Sequence, residues 1–180
     1  MKRFSEHGFS YIEVMIAIVM LSVGILALLA AISGAVMRSR GQEEQLMAKQ
    51  IAASTLESLM SAKETADPIR NLGWLSIGNV GSNPDENSVP RGIFLVGEHD
   101  VRTEAGPDQV LGTADDTGNV IVGFRREIVI TDICDPDRPS SACPTPGSNP
   151  VKIRSVRITV SYFIGTGRFT ERINTILTDY

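Results

Sequence analysis

The sequence predicts an α+β fold: one long amino-terminal α-helix, hydrophobic in its first half, packed on an antiparallel β-sheet head. Three observations carry this. Residues 14–37 include no charged side chain, and the helix-forming run that follows reaches Glu64 without a proline. Residues 119–131, 152–164 and 168–178 alternate apolar and polar side chains, the period of a strand with one buried face. Gly165-Thr166-Gly167 joins the last two segments as a hairpin loop. The chain averages, 42% hydrophobic residues and a net charge of −4 over 180 residues, hide this asymmetry.

The first element is GFSYIEVMIAIVMLSVGILALLAAIS, residues 8–33. About 20 apolar residues cross a bilayer core of about 30 Å, so residues 14–37 are long enough to span. A secretory signal peptide has an apolar stretch of only about 7–15 residues before its cleavage site. A small-residue site at residues 27–31 leaves apolar residues on both sides. A plain signal anchor accounts for the length but not for Glu13. A carboxylate at the centre of a span costs about 2.5–3.5 kcal/mol, and less near its end. Glu13 is therefore either an interfacial residue or a functional one with a charge partner. Lys2 and Arg3 precede the span and Arg38, Arg40 and Lys49 follow it, so the basic-residue count chooses no orientation.

Residues 38–64 are rich in Gln, Glu, Ala, Lys, Leu and Met, all strong helix formers. Leu46, Ala53, Leu56 and Met60, with Ala52 and Leu59 beside them, recur at spacings of three, four and seven. That stripe predicts the face that docks on the sheet; a coiled coil needs more heptads than are present. Ala66-Asp67-Pro68 ends the helix, because proline disfavours helix at the residue before it. Residues 71–90 form a Gly-, Asn-, Ser- and Pro-rich loop in which Trp74 is expected to anchor packing on the core, a ligand platform being the alternative. Four strands are expected. Residues 92–96 form a short apolar one. In 119–131, Val120, Val122, Phe124, Ile128 and Ile130 share a face interrupted by Arg126. Val156, Ile158, Val160, Tyr162 and Ile164 line 152–164, and Phe169, Ile173 and Leu177 line 168–178. One apolar face per strand fits an antiparallel sheet covered by a single helix.

Two loops carry chemistry. GPDQVLGTADDTG, residues 106–118, presents Asp108, Asp115 and Asp116, oxygen donors of the kind calcium takes, without the EF-hand spacing. The loop reads first as a solvated turn, with calcium as the alternative. Cys134 and Cys143 are too few for a tetrahedral zinc site, and His7 and His99 lie far from them in sequence. In an oxidising compartment the pair forms a disulfide closing a small loop; in the cytosol it is two free thiols. Mild acidity and the absence of a basic stripe argue against a nucleic-acid partner. No phosphate loop, nucleophile elbow or histidine-based constellation indicates an enzyme or a cofactor beyond that calcium candidate.

MKRFSEHG followed by FSYIEVMIAIVMLSVGILALLA resembles the class III signal of type IV prepilins and pseudopilins: a short basic leader ending in glycine, an aromatic residue next, and a glutamate at the fifth mature position. Gly8, Phe9 and Glu13 match those three positions. The resemblance implies the ladle-like pilin fold, with a cleaved leader at 1–8, a transmembrane and filament-core half-helix at 9–37, an amphipathic half-helix at 38–64 and a periplasmic head at 65–180. It implies that a prepilin peptidase cuts after Gly8 and methylates the new amine of Phe9. Glu13 then pairs with a neighbour's terminal amine in the filament. The implied location is the inner membrane and then a filament. The implied partners are membrane lipid before assembly, the peptidase, an inner-membrane assembly platform, and minor and major pilins. Within the family, EVMIAIVMLSVGILALLA looks most like the V-type minor pilins, which prime pilus assembly near the tip. The alternatives are an I-type minor pseudopilin of type II secretion, or a single-span membrane protein with a periplasmic binding head.

Overall fold

The computed structural model describes residues 8, 10–85, 87, 89–133 and 151–179. They group into two compact units, divided between Gln42 and Glu43 inside helix α1, Tyr11–Glu64. In the first unit α1 carries the uncharged run, and every residue from 11 to 40 is exposed. Leucine, alanine, methionine and isoleucine sustain the helix there, and Gly24 and Gly34 are tolerated within it.

In the second unit the remainder of α1 packs on a four-stranded sheet of β1 (Glu98–Glu104), β2 (Thr117–Asp132), β3 (Ile153–Ile164) and β4 (Gly167–Thr178). Each strand pairs antiparallel with the next in sequence. The β3–β4 connection is a two-residue turn with Gly165 at φ 62°, a conformation that suits glycine and matches the twist of the paired strands. The core lies between the helix and one face of the sheet. Val156, Ile158, Val160 and Tyr162 of β3 and Phe124, Ile128 and Ile130 of β2 are buried against α1.

Three expectations change. The helix face on the sheet is Ala48, Ile51, Ala52, Thr55, Leu59 and Ala62, while Leu46, Ala53 and Met60 are exposed. The sheet already supplies large side chains, so close packing leaves room for small ones opposite them. The expected strand at residues 92–96 forms only isolated bridges, Phe94 with Asn79 and with Thr113, although Phe94 is fully buried. The fourth strand is instead β1, whose sequence EHDVRTE buries only Val101. Val120 and Val122 are exposed, because β2 changes phase at Gly123, where φ is 91°. Phe169 is also half exposed, whereas Ile173 packs on the core and Leu177 lies in it.

Trp74 opens a short 3-10 turn, Trp74–Ser76, and its indole N–H donates to the Val151 carbonyl at 2.7 Å. It packs against the core, as an anchoring role requires.

Candidate functional site

Glu13 stands in the first turn of α1, exposed, at the edge of the uncharged run. The Ser10 carbonyl accepts the N–H groups of Glu13 at 3.0 Å and Val14 at 3.2 Å, which fixes the helix start just ahead of the carboxylate. The positive end of the helix dipole favours a carboxylate there by about 0.3–1 kcal/mol. That is smaller than the cost of about 2.5–3.5 kcal/mol for a carboxylate deep in a bilayer. Gly8 is exposed, and nothing approaches the position its Cβ would occupy. Phe9 lies outside the described residues.

From residue 14 to 37 the helix presents Met15, Ile16, Ile18, Val19, Leu21, Ile25 and further large apolar side chains to its surroundings on all sides. At ~1.5 Å per residue this run extends about 36 Å, against a hydrocarbon thickness of about 30 Å. α1 is thus long and apolar enough to cross a membrane once. The Ser22 hydroxyl, the first polar side chain inside the run, donates to the Ile18 carbonyl at 2.8 Å and so presents no free donor to lipid.

The second unit holds the polar residues that sequence reading passed over. Arg126, 4% exposed, shares the buried face of β2 with Phe124 and Ile128. Its Nη2 pairs with Asp116 at 2.7 Å, and its Nη1 donates to the Thr55 hydroxyl at 3.1 Å. One guanidinium therefore joins the acidic loop, the sheet and the helix. Burial pushes its pKa down, and the Asp116 charge opposes that shift. Arg154, 1% exposed, donates to Asp132 and to the carbonyls of Trp74 and Ile77, and its guanidinium lies 4.9 Å from the Trp74 ring. The signal for both was visible: an arginine at an inward position of an alternating strand.

The acidic loop is knotted by its own hydrogen bonds. Asp116 also accepts from the N–H groups of Gly112 and Thr113. Asp115 accepts from the Thr113 hydroxyl at 2.6 Å and the Asp108 N–H at 3.2 Å. Burial raises the Asp108 pKa; against the same burial, those two donors hold Asp115 low. Among the described residues no group of three or more His, Cys, Asp or Glu side chains is placed to hold a metal ion. Cys134 and Cys143 lie outside the described residues.

Compared with known proteins, the chain matches no family model, no curated protein and no solved structure. The features in hand define a class by architecture. The chain is an α+β protein with one long apolar amino-terminal helix and a four-stranded antiparallel sheet. That arrangement is compatible with the pilin-like fold.

Proposed function

We propose that this chain is a type IV pilin-like assembly subunit: a minor pilin that helps prime the filament and is incorporated at or near its tip. The observation that carries the reading is the coincidence of Gly8, Phe9 and Glu13 at the edge of an exposed, uncharged helix long enough to span a bilayer. Its chemistry is assembly, not catalysis. Lipid solvates residues 14–37 before assembly and neighbouring helices replace lipid afterwards. Glu13 then meets the terminal ammonium of a neighbouring subunit. Removing one partner of such a buried pair leaves an uncompensated charge, which is why the pair favours one axial stagger over others. Within the family, the run EVMIAIVMLSVGILALLA favours the V-type minor pilins. The Glu-Val-Met start favours a second reading, an I-type minor pseudopilin of type II secretion.

Mass spectrometry of the mature amino terminus tests the reading. The expected species begins at Phe9 with one added methyl group. Gly8→Val is expected to leave the precursor intact in the membrane, because a side chain there blocks close approach to the backbone. An intact Met1 on the wild-type protein, or normal processing of Gly8→Val, overturns the assignment.

A further inference from the structure

The sheet ends in two different edges. β1 is short, and its register with β2 shifts twice, features that discourage further pairing. Where β2 runs on past β1, side-chain amides close it. Asn79 donates to the Ile128 carbonyl and accepts from the Ile130 N–H, both at 2.8 Å, and Asn83 donates to the Ile130 carbonyl at 3.3 Å. Among the described residues β4 has no such treatment. All twelve of its residues, Gly167 to Thr178, pair with β3 in unbroken register, and none is proline.

The pairing parity shows which groups are free. The Asp179 N–H donates to the Lys152 carbonyl at 2.9 Å, in step with the pairs Arg154↔Leu177 and Ile164↔Gly167. Odd-numbered residues of β4 therefore exchange hydrogen bonds with β3. The N–H and C=O groups of Arg168, Thr170, Arg172, Asn174 and Ile176 point to the other side. Among the described residues no backbone hydrogen bond reaches them.

The side chains along this edge specify an occupant. On the inner face Phe169 is 47% exposed, although its ring stacks 6.0 Å from Tyr162, and Ile173 is half-buried. On the outer face Arg168 leans away from the edge onto Glu98 and Ser161. Arg172 is exposed, and among the described residues it has neither an ion pair nor a hydrogen bond. Arg157, its diagonal neighbour by register, is likewise exposed and unpaired among the described residues.

We propose that the open edge of β4 receives an extended segment of another polypeptide, added as a fifth strand with apolar residues beside Phe169 and Ile173 and an acidic residue beside Arg172. Backbone hydrogen bonds supply the attachment and alternate side chains the selectivity. A second copy of β4 is a poor occupant, because it brings arginines against arginines.

The test is amide hydrogen exchange on the full chain in detergent, with a synthetic acetylated peptide of alternating valine and glutamate as the probe. In the chain alone, the amides of Thr170, Arg172, Asn174 and Ile176 are expected to exchange fast, and the peptide to slow them by about tenfold or more. Arg172→Glu is expected to abolish that protection and to transfer it to a valine–lysine peptide. Asn174→Pro removes one outward N–H without breaking a bond to β3, and is expected to abolish protection by either peptide while the β3 amides stay protected. Slow exchange of these amides in the chain alone shows the edge already covered and overturns the proposal. So does protection indifferent to Arg172→Glu, or no protection by either peptide.

Discussion

Removing the Asp116 carboxylate tests the buried polar junction most directly. Asp116→Ala leaves the Arg126 guanidinium inside the sheet–helix layer without its counter-charge, and also withdraws an acceptor from the Gly112 and Thr113 N–H groups. Both partners are nearly sealed from solvent, with side-chain exposures of 4% and 8%. Breaking such a pair from one side costs about 3–5 kcal/mol. At about 3 °C per kcal/mol for a domain of this size, the melting point of the head falls by roughly 10–15 °C. Replacing both charges together, Arg126→Met with Asp116→Leu, is expected to recover most of that loss, because a buried pair exchanged for apolar side chains is often close to neutral. The assay is urea and thermal unfolding of the full chain in detergent, followed by fluorescence of Trp74, the single tryptophan, which sits beside Arg154. A loss below about 1 kcal/mol for Asp116→Ala refutes the reasoning, since that is the scale of an exposed pair. A double variant as unstable as the sum of the singles refutes it as well, because neighbours in one network should couple.

Glu13→Gln is expected to insert and to be processed normally, yet to lose crosslinking to neighbouring subunits and incorporation into filaments; wild-type assembly leaves the carboxylate an interfacial passenger. Cys134 and Cys143 are expected to resist alkylation in native, unreduced protein, and ready labelling of both counts against export of this region. The Ser161 hydroxyl, with Arg168 and Arg125, holds Glu98 below its ordinary 4.5. Its stabilising effect is therefore present above about pH 4.5 and lost as pH falls through the lower folded value. Asp108, raised above 3.8 by burial, acts with the opposite sign: its ionisation is penalised in the fold, and acid relieves the penalty. Urea midpoints measured from neutral pH down to acid should thus fall less steeply for Glu98→Gln and more steeply for Asp108→Asn.

The strands with an alternating pattern were legible to within two residues. The mispredicted elements share a physical cause. A strand that lies at an edge and buries one side chain, as β1 does with Val101, leaves no periodicity to read. A buried apolar segment without a ladder, as at Phe94, imitates one. Sequence alone misplaces the phase of the α1 stripe, because hydrophobicity weights Leu46 and Met60 above Ala48 and Thr55. What a helix presents to a sheet is set by volume as much as by polarity, and here alanine fits. In sequence Arg126 reads as an interruption of an apolar face, and its partner Asp116 as part of a solvated turn or a calcium loop. Pairing them required the fold, because ten positions separate them across a turn whose path the sequence does not specify.

The amino-terminal reading rests on a different argument, one of energy balance within the helix. The helix dipole returns to Glu13 about 0.3–1 kcal/mol. Burial deep in an apolar medium costs about 2.5–3.5 kcal/mol. At the centre of a span that leaves roughly 2 kcal/mol uncompensated; Glu13, at the edge of the run, meets less of it, and from 14 to 37 the helix offers neither a cation nor a buried donor. At a membrane surface water can make up the difference, and Glu13 is then tolerated as an interfacial group. On the proposed reading helices gather and exclude water and headgroups; the carboxylate then either takes up a proton or meets a counter-charge brought by another subunit. The terminal ammonium of the proposed mature chain, four residues before the carboxylate, would bring the opposite charge when offered by a neighbour displaced along the axis. Glu13 therefore calls for a partner outside the chain only where assembly removes it from water and headgroups, a condition set by the helix and not by the head.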